Sequence, residues 1–215
     1  MPNTVVHLMR HGEVDNPAGI LYGRLPGYGL SDLGRQMAKA VAGHLRDTGR
    51  DIVLLRASPL QRAQETAAPI AEVFDLQVEE ERRIIEAENH FEGMRFGQGE
   101  GSLTNLRHWP HLRNPLRPSW GEPYVSQVTR VLAAACDAAA KAAGHEALVV
   151  GHQLPIWVTR RHLEGKPLWH DPRRRECRLA SLTSLRFVDG VPTSVSYSEP
   201  AAHLYPDDSR QVPGT

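Results

Sequence analysis

Cysteine, net charge and long apolar runs are the features that this sequence lacks. Only two cysteines, Cys136 and Cys177, occur among 215 residues, which is too few for a disulfide framework and predicts two reduced thiols. Basic and acidic residues are equal in number, at 25 each, so no overall charge favours nucleic acid or an anionic membrane surface. No apolar run approaches the roughly 20 residues that span a bilayer. The first apolar stretch begins at Thr4, too early for a signal peptide. We therefore expect a cytoplasmic protein with neither nucleic-acid nor membrane partners.

The composition is that of one globular domain. A chain of 215 residues, 40% hydrophobic and 23% charged, is long enough to bury a sizeable core. Residues 201–215 are polar and proline-rich, which predicts a C-terminal tail after a domain spanning 1–200. Residues 98–121 contain Trp109, Trp120 and three prolines. Their length favours either an ordered, lid-like excursion over the sheet edge or a surface loop pinned by the tryptophans.

Short apolar runs alternate with amphipathic helical patterns along the chain. The runs predict strands at residues 4–9, 52–57, 77–80 and 146–150, and a C-terminal hairpin at 182–197 that turns at Asp189-Gly190. Helices are predicted to begin at Ser31, at a capping box formed by 58–61, at Pro123 and near Pro155. In the third helix, Val125 and Val128 are expected to face inward. Strands that alternate with helices predict an α/β fold, a mainly parallel central sheet with helices on both faces.

Three of the predicted strands lead into residues that suit an oxyanion. The first ends in Arg10-His11-Gly12, the second leads into Ser58-Pro59-Leu60-Gln61-Arg62, and the fourth ends in Gly151-His152-Gln153. Ligands of parallel sheets bind at the carboxyl ends of the strands, where helix N-termini add positive potential. Arginine supplies planar bidentate donors, glycine lets the backbone approach closely, and histidine can be the attacking group. The pattern predicts a phosphate pocket.

Fixed cations are what phosphoryl transfer requires. Its loose transition state spreads negative charge over three equatorial oxygens, and Arg10 and Arg62 remain charged at any relevant pH. Their charge also lowers the pKa of a nearby imidazole from about 6.5, which favours the neutral, attacking form of His11. A positioned carboxylic acid that protonates the leaving oxygen contributes on the order of 10²–10⁴ in rate.

These motifs resemble those of the histidine phosphatase superfamily, also called the phosphoglycerate mutase-like family. The matching pieces are Arg10-His11-Gly12-Glu13 with Asn16, the block from Ser58 to Ala67, Gly151-His152, and the segment from Glu86 to Gly93. The block Ser-Pro-Leu-x-Arg-x-x-Glu-Thr-Ala is the most specific of them. Similarity runs from about Val5 to Gln153 and so covers most of the chain.

The resemblance implies a role for each matching residue. His11 would be the nucleophile that forms a phosphohistidine, and Glu86 would be the acid that protonates the leaving oxygen. The phosphate pocket would be lined by Arg10, Arg62 and His152. The resemblance also implies a sheet flanked by helices, with no metal and no cofactor.

Several assignments remain open. Glu88 and Glu92 are alternatives to Glu86 as the acid, and Asn16 is either a substrate donor or a turn residue. Further candidate substrate contacts are Tyr22, Arg24 and Gln153. The run Arg173-Arg174-Arg175 is either a solvated or structural cluster or an aid in holding an anionic substrate. His108 and His111 are too few for a metal site, and a homo-oligomer is possible.

The expected activity is that of a histidine acid phosphatase-type monoester hydrolase acting on a small phosphorylated metabolite. Family mutases typically carry Glu-Arg-His-Tyr where this chain has Glu86-Ala87-Glu88-Asn89. The missing arginine would contact a substrate carboxylate, so hydrolysis is favoured over phosphoglycerate mutase-type transfer. A catalytically silent phospho-ligand-binding domain is the alternative from another class.

Overall fold

A single six-stranded sheet organises the computed structural model, which describes residues 3–95 and 120–205. The strands are β1 (Thr4–Arg10), β2 (Ile52–Ala57), β3 (Val78–Glu80), β4 (Glu146–Gly151), β5 (Leu182–Val188) and β6 (Val191–Ser198). The helices are α1 (Asp32–Asp47), α2 (Gln61–Phe74), α3 (Tyr124–Lys141) and α4 (Gln153–Leu163). The predicted α/β fold class is confirmed.

The strand order is β3-β2-β4-β1-β5-β6. The first four strands in this order run parallel, and the β5–β6 hairpin adds two antiparallel strands at the edge beside β1. The hairpin turns at the predicted dipeptide, where Asp189 and Gly190 have φ angles of 54° and 78°. Two consecutive positive φ angles characterise the type I′ turn, whose twist matches that of paired strands.

Alternate side chains of β1 point to two separate cores. Val6 and Leu8 pack with residues of α3 and α4 on one face of the sheet, whereas Met9 packs with residues of α1 and α2 on the other. This alternation follows from the two-residue period of a strand. Helices therefore cover both faces, as the continuous apolar runs predict.

The start of α2 differs from the prediction. The capping box at Ser58 is wrong, because α2 begins at Gln61 and its N-cap residue, Leu60, makes no side-chain hydrogen bond. The Ser58 hydroxyl lies 2.8 Å from His152 Nε2, a partner 94 residues away, and accepts only a long bond from the Leu60 N–H at 3.4 Å. At α1, by contrast, Ser31 caps as predicted by accepting the Gly34 N–H.

One further prediction is wrong. Val125 and Val128 are both expected to face inward on α3, and Val128 is buried, but Val125 is 67% exposed. The buried face of α3 also includes Tyr124 and Val131, so the apolar stripe overlaps the predicted one but is rotated away from Val125.

The structure describes only parts of the two irregular segments. Of the predicted excursion at 98–121, all but Trp120 and Gly121 lies outside the described residues, so its predicted character remains a prediction. Of the predicted tail, residues 201–205 are described. Ala201 is fully buried, and the Tyr205 hydroxyl donates to the Leu179 carbonyl. Both cysteines are free thiols, and every helix in the described ranges is too short or too polar to cross a bilayer.

Candidate active site

The three strands that lead into the oxyanion motifs end side by side. β4 lies between β1 and β2, and the register pairs Arg10 with Gly151 and Ala57 with Val150. The three ends are therefore level at the carboxyl edge of the sheet. The chain leaves this edge at His11, Ser58 and His152, which brings residues from distant parts of the sequence together where ligands of parallel sheets bind.

His11 is 2% exposed, and one of its two ring nitrogens forms a hydrogen bond with the backbone. Nδ1 lies 2.7 Å from the Gly12 carbonyl oxygen. A carbonyl can only accept, so Nδ1 carries the proton and donates it. In the neutral ring Nε2 then holds a free lone pair. Burial, followed by the charges of Arg62 and Arg10, holds the pKa of His11 well below its usual value. The ring is therefore neutral at physiological pH.

The loop after His11 is held by α1 and α2. The Gly12 N–H donates to Thr66 Oγ1 at 3.1 Å, and the same hydroxyl donates to the Arg62 carbonyl at 2.7 Å. A Cβ on Gly12 would meet the backbone of Gly34 in α1, so only glycine permits this close approach. The orientation of the His11 ring thus depends on two helices that flank it.

Arg62 is the largest fully buried side chain among the described residues, at 1% exposure. Its Nη2 donates to the Gly23 carbonyl at 2.7 Å, and its guanidinium carbon lies 4.7 Å from the centre of the Tyr22 ring. Its Nε is buried and has no hydrogen-bond partner in the described part of the chain. A buried, unused guanidinium donor suits an anionic ligand.

His152 completes the pocket opposite His11. The two ring centres are 5.2 Å apart, and His152 is fully buried. Arg62 Nη2 lies 3.3 Å from His152 Nδ1. A guanidinium only donates, so Nδ1 accepts and Nε2 donates to Ser58 Oγ. Burial and the charge of Arg62 also keep the pKa of His152 well below its usual value.

Arg10 is 5% exposed, and the segment that precedes β5 holds its guanidinium in place. Its Nη1 donates to the Cys177 carbonyl at 2.8 Å, and its charge lowers the pKa of both pocket histidines. The structure thus brings Arg10, His11, Arg62 and His152 together around one site, as the sequence motifs predict.

Glu86 differs from Glu88 in its surroundings, whereas Glu92, like Glu86, lies close enough to Arg62 for its charge to act on that guanidinium. Desolvation is the main reason why its pKa is raised, although its Oε1 accepts the Ala87 N–H at 2.8 Å. The charges of Arg62, Arg175 and Arg10 act on it, which locates it beside the pocket. Glu88 is 70% exposed and pairs with Arg24. A raised pKa favours the protonated form that a general acid needs, so these surroundings support Glu86.

Among the other candidate substrate contacts, Arg24 and Asn16 already form hydrogen bonds with other residues of the protein. Arg24 Nε donates to the Glu86 carbonyl at 2.7 Å, and its Nη1 donates to Glu88. Asn16 uses its amide nitrogen and its oxygen on the backbone of Ile20. These bonds give both residues a positioning role, Arg24 for the acid segment and Asn16 for the loop after β1. Their roles as substrate ligands remain predictions.

Tyr22 and Gln153 lie closer to the pocket. Tyr22 is 4% exposed beneath Arg62, and burial raises the pKa of its hydroxyl. Gln153 Nε2 donates to the Cys177 carbonyl at 3.3 Å, and its Oε1 accepts from Arg175 Nη1 at 3.2 Å.

Sequence reasoning missed the residues that orient the pocket. Ser58 and Thr66 lie in the most specific sequence block, and the block itself was the available signal. No sequence signal separates Arg175 from Arg173 and Arg174.

In the described ranges no group of three or more potential metal ligands occurs. Metal independence remains a prediction, and His108 and His111 lie outside those ranges.

Comparison with known proteins agrees with the fold. The family model of the histidine phosphatase superfamily (branch 1) matches residues 6–200. The chain therefore belongs to this superfamily. Its relatives include a phosphoserine phosphatase and a phosphoglycerate mutase, and its structural neighbours include several phosphatases.

Similar proteins come from bacteria of several lineages. Rv0525 of Mycobacterium tuberculosis is 57% identical over 199 residues, which are 93% of this chain and 98% of the relative. Phosphoserine phosphatase 1 of Hydrogenobacter thermophilus is 31% identical over 159 residues, 69% of this chain and 71% of that protein. Among solved structures, mycobacterial glucosyl-3-phosphoglycerate phosphatase Rv2419c aligns with a TM-score of 0.68 at 25% identity, covering 86% of this chain and 90% of the other. Bacillus stearothermophilus YhfR shares the fold, with a TM-score of 0.72 at 24% identity over 94% of this chain and 100% of its own.

Proposed function

We propose that this protein is a metal-independent phosphomonoesterase that acts on a small phosphorylated metabolite through a phosphohistidine at His11. The observation that carries the proposal is the fixed tautomer of a buried, neutral histidine. Its Nδ1–H is donated to the Gly12 carbonyl, so the Nε2 lone pair is the nucleophile. The relatives include a phosphoserine phosphatase and a phosphoglycerate mutase, and the phosphatases among the structural neighbours support hydrolysis.

In the first step, Nε2 attacks phosphorus and the bond between phosphorus and the ester oxygen breaks. Arg10 and Arg62 neutralise the charge that spreads over the equatorial oxygens. The leaving alkoxide takes the proton of the Glu86 carboxyl. In the second step, water attacks phosphorus, one of its protons goes to the Glu86 carboxylate, and the bond between phosphorus and His11 Nε2 breaks. Inorganic phosphate leaves, and His11 and Glu86 return to their starting states.

Hydrolysis of p-nitrophenyl phosphate in the presence of a chelator tests the reaction class. We expect phosphate release and an acid-labile phosphoprotein that can be trapped in the wild type and is absent in His11→Ala. A silent binding domain would release no phosphate. A mutase would transfer the phosphoryl group to a phosphoglycerate faster than to water, and that result would refute the hydrolase assignment.

The leaving group distinguishes the acid from its neighbours. Nitrophenolate needs little protonation, whereas an alkoxide needs a full proton. Glu86→Gln is therefore expected to lower kcat for an alkyl phosphate by about 10²–10⁴ and kcat for p-nitrophenyl phosphate far less. If Glu88→Gln or Glu92→Gln gives that pattern instead, Glu86 is not the acid.

A further inference from the structure

Arg175 behaves differently from the two arginines that precede it. Arg173 and Arg174 are exposed, and Arg173 pairs with Asp171 at 2.8 Å. Arg175 turns inward, and none of its nitrogens contacts a carboxylate among the residues that the structure describes. Arg175 is half-buried, and desolvation lowers the pKa of its guanidinium. A partly desolvated cation without a counter-ion is a suitable partner for a bound anion, which offsets the cost of desolvation.

The guanidinium of Arg175 is fixed by two neutral acceptors. Its Nε donates to His170 Nε2 at 2.9 Å, and its Nη1 donates to Gln153 Oε1 at 3.2 Å. His170 can accept because its Nδ1 proton is donated to the Leu168 carbonyl at 2.8 Å. Burial also lowers the pKa of His170 to about 4, so the ring is neutral at physiological pH.

The position of His170 is fixed in turn by aromatic side chains. Its ring centre lies 5.7 Å from that of Tyr124 in α3 and 6.0 Å from that of Trp157 in α4. Arg175 is thus held in one orientation before any ligand arrives. Nη2 is the one nitrogen of Arg175 for which the described part of the chain provides no hydrogen bond.

A short chain of hydrogen bonds joins Arg175 to the phosphate pocket. Gln153, which accepts from Arg175, donates to the Cys177 carbonyl, and Arg10 donates to the same carbonyl. The charge of Arg175 also acts on Glu86. The third guanidinium is therefore close enough to Glu86 for its charge to act on that carboxyl, which, with Glu86 as the proposed acid, is the side from which the leaving group would depart.

We infer that Arg175 determines substrate specificity by binding a second anionic group, carboxylate or phosphate, on the leaving-group side of the phosphomonoester. The inference rests on the proposed function and narrows it, because Arg10 and Arg62 suffice for the phosphoryl group itself. With a neutral leaving group, Arg175 Nη2, for which residues 3–95 and 120–205 provide no partner, would have no group to bind.

Two matched pairs of substrates test the inference and separate the two anions. O-phosphoserine and O-phosphoethanolamine differ by a carboxylate, and 1,3-propanediol bisphosphate and propyl phosphate differ by a phosphate. In the wild type we expect kcat/KM to be higher for the substrate that carries the second anion than for its partner, in at least one pair. Arg175→Gln should lower kcat/KM for that substrate by roughly 10–150-fold, the effect of losing a hydrogen bond between charged groups. The kcat/KM of this variant for the substrate without the second anion, and for p-nitrophenyl phosphate, should change by less than about 3-fold.

The neighbouring arginine provides the control. Arg174→Gln removes an exposed cation from the same run and should leave both kcat/KM values of the pair unchanged. Arg175→Lys keeps the charge without the planar donors and should restore part of the discrimination. This variant also carries the test if Arg175→Gln does not fold.

The outcomes separate the inference from the proposed function. Equal losses of kcat/KM for both members of a pair, or no preference for the second anion in the wild type, overturn the specificity role of Arg175 and leave the hydrolase intact. If the wild type hydrolyses no phosphomonoester, including p-nitrophenyl phosphate, the proposed function fails and the inference fails with it.

Discussion

Thr66 provides a sharp test of how the nucleophile loop is held. Its fully buried hydroxyl accepts the Gly12 N–H and donates to the Arg62 carbonyl. Thr66→Val keeps the shape of the side chain but leaves the Gly12 N–H unpaired. An unsatisfied buried donor costs about 1–3 kcal/mol of unfolding free energy. For a chain of this length, each kcal/mol corresponds to roughly 2–4 °C in Tm, so Tm should fall by about 2–12 °C.

The same substitution should also lower activity, because the Gly12 carbonyl orients His11. We expect kcat/KM for p-nitrophenyl phosphate to fall about 10–100-fold, the scale expected when a reacting group is misplaced. Thr159→Val is the matched control. Thr159 is also fully buried and also donates to a carbonyl four residues earlier, that of Pro155, but no backbone N–H in residues 3–95 and 120–205 donates to its hydroxyl. Its Tm should change little, since such back-bonding adds little to a helix, and its activity should be unchanged.

Calorimetry and steady-state kinetics on the two valine variants give the answer directly. Equal shifts of Tm and equal kcat/KM in both variants would refute the reasoning, because the bond from Gly12 is the difference between the two sites.

Two further predictions concern pH and packing. For an alkyl phosphate, kcat/KM should rise with pH through the lowered pKa of His11, which must be neutral, and fall with pH through the raised pKa of Glu86, which must be protonated. A pH–rate profile of Glu86→Gln should lack the basic limb, and a retained limb would assign it to another group. In α1, Gly34→Ala would press a Cβ against the backbone of Glu13 and should cost about 1–3 kcal/mol. Gly43→Ala, which meets nothing within 4 Å, should stabilise the same helix by roughly 0.5–1 kcal/mol. Chemical denaturation measures both, and the same sign for both would contradict the packing described.

The pocket was predictable because each of its main residues directly follows a strand or begins a helix. Arg10, His11 and His152 lie at the ends of apolar runs, and such runs identify strands by burial alone. Arg62 lies one turn beyond another run. Since the carboxyl ends of parallel strands share one edge, these four residues could be grouped without knowing the strand order.

Features that depend on tertiary partners were not predictable. Ser58 was expected to cap a helix, a local bond that its sequence favours, but His152 competes for its hydroxyl from 94 residues away. Arg173 and Arg175 look alike in a run of three. They differ because His170 and Gln153 accept from Arg175. Val125 fits the helical period of apolar residues, but the orientation of α3 on the sheet buries the face that carries Tyr124 and Val131 and leaves Val125 exposed.

The strand order has a consequence for how the chain folds. β4 is made after α3 but inserts between β1 and β2, so the first two strands have no direct hydrogen-bonded contact with each other. During synthesis, β1 and β2 cannot complete the sheet until β4 has been made and has inserted between them. The long loop that this insertion closes slows folding. Truncations that end before Glu146 therefore leave two unpaired strand edges facing each other, which is the kind of surface on which nascent chains aggregate.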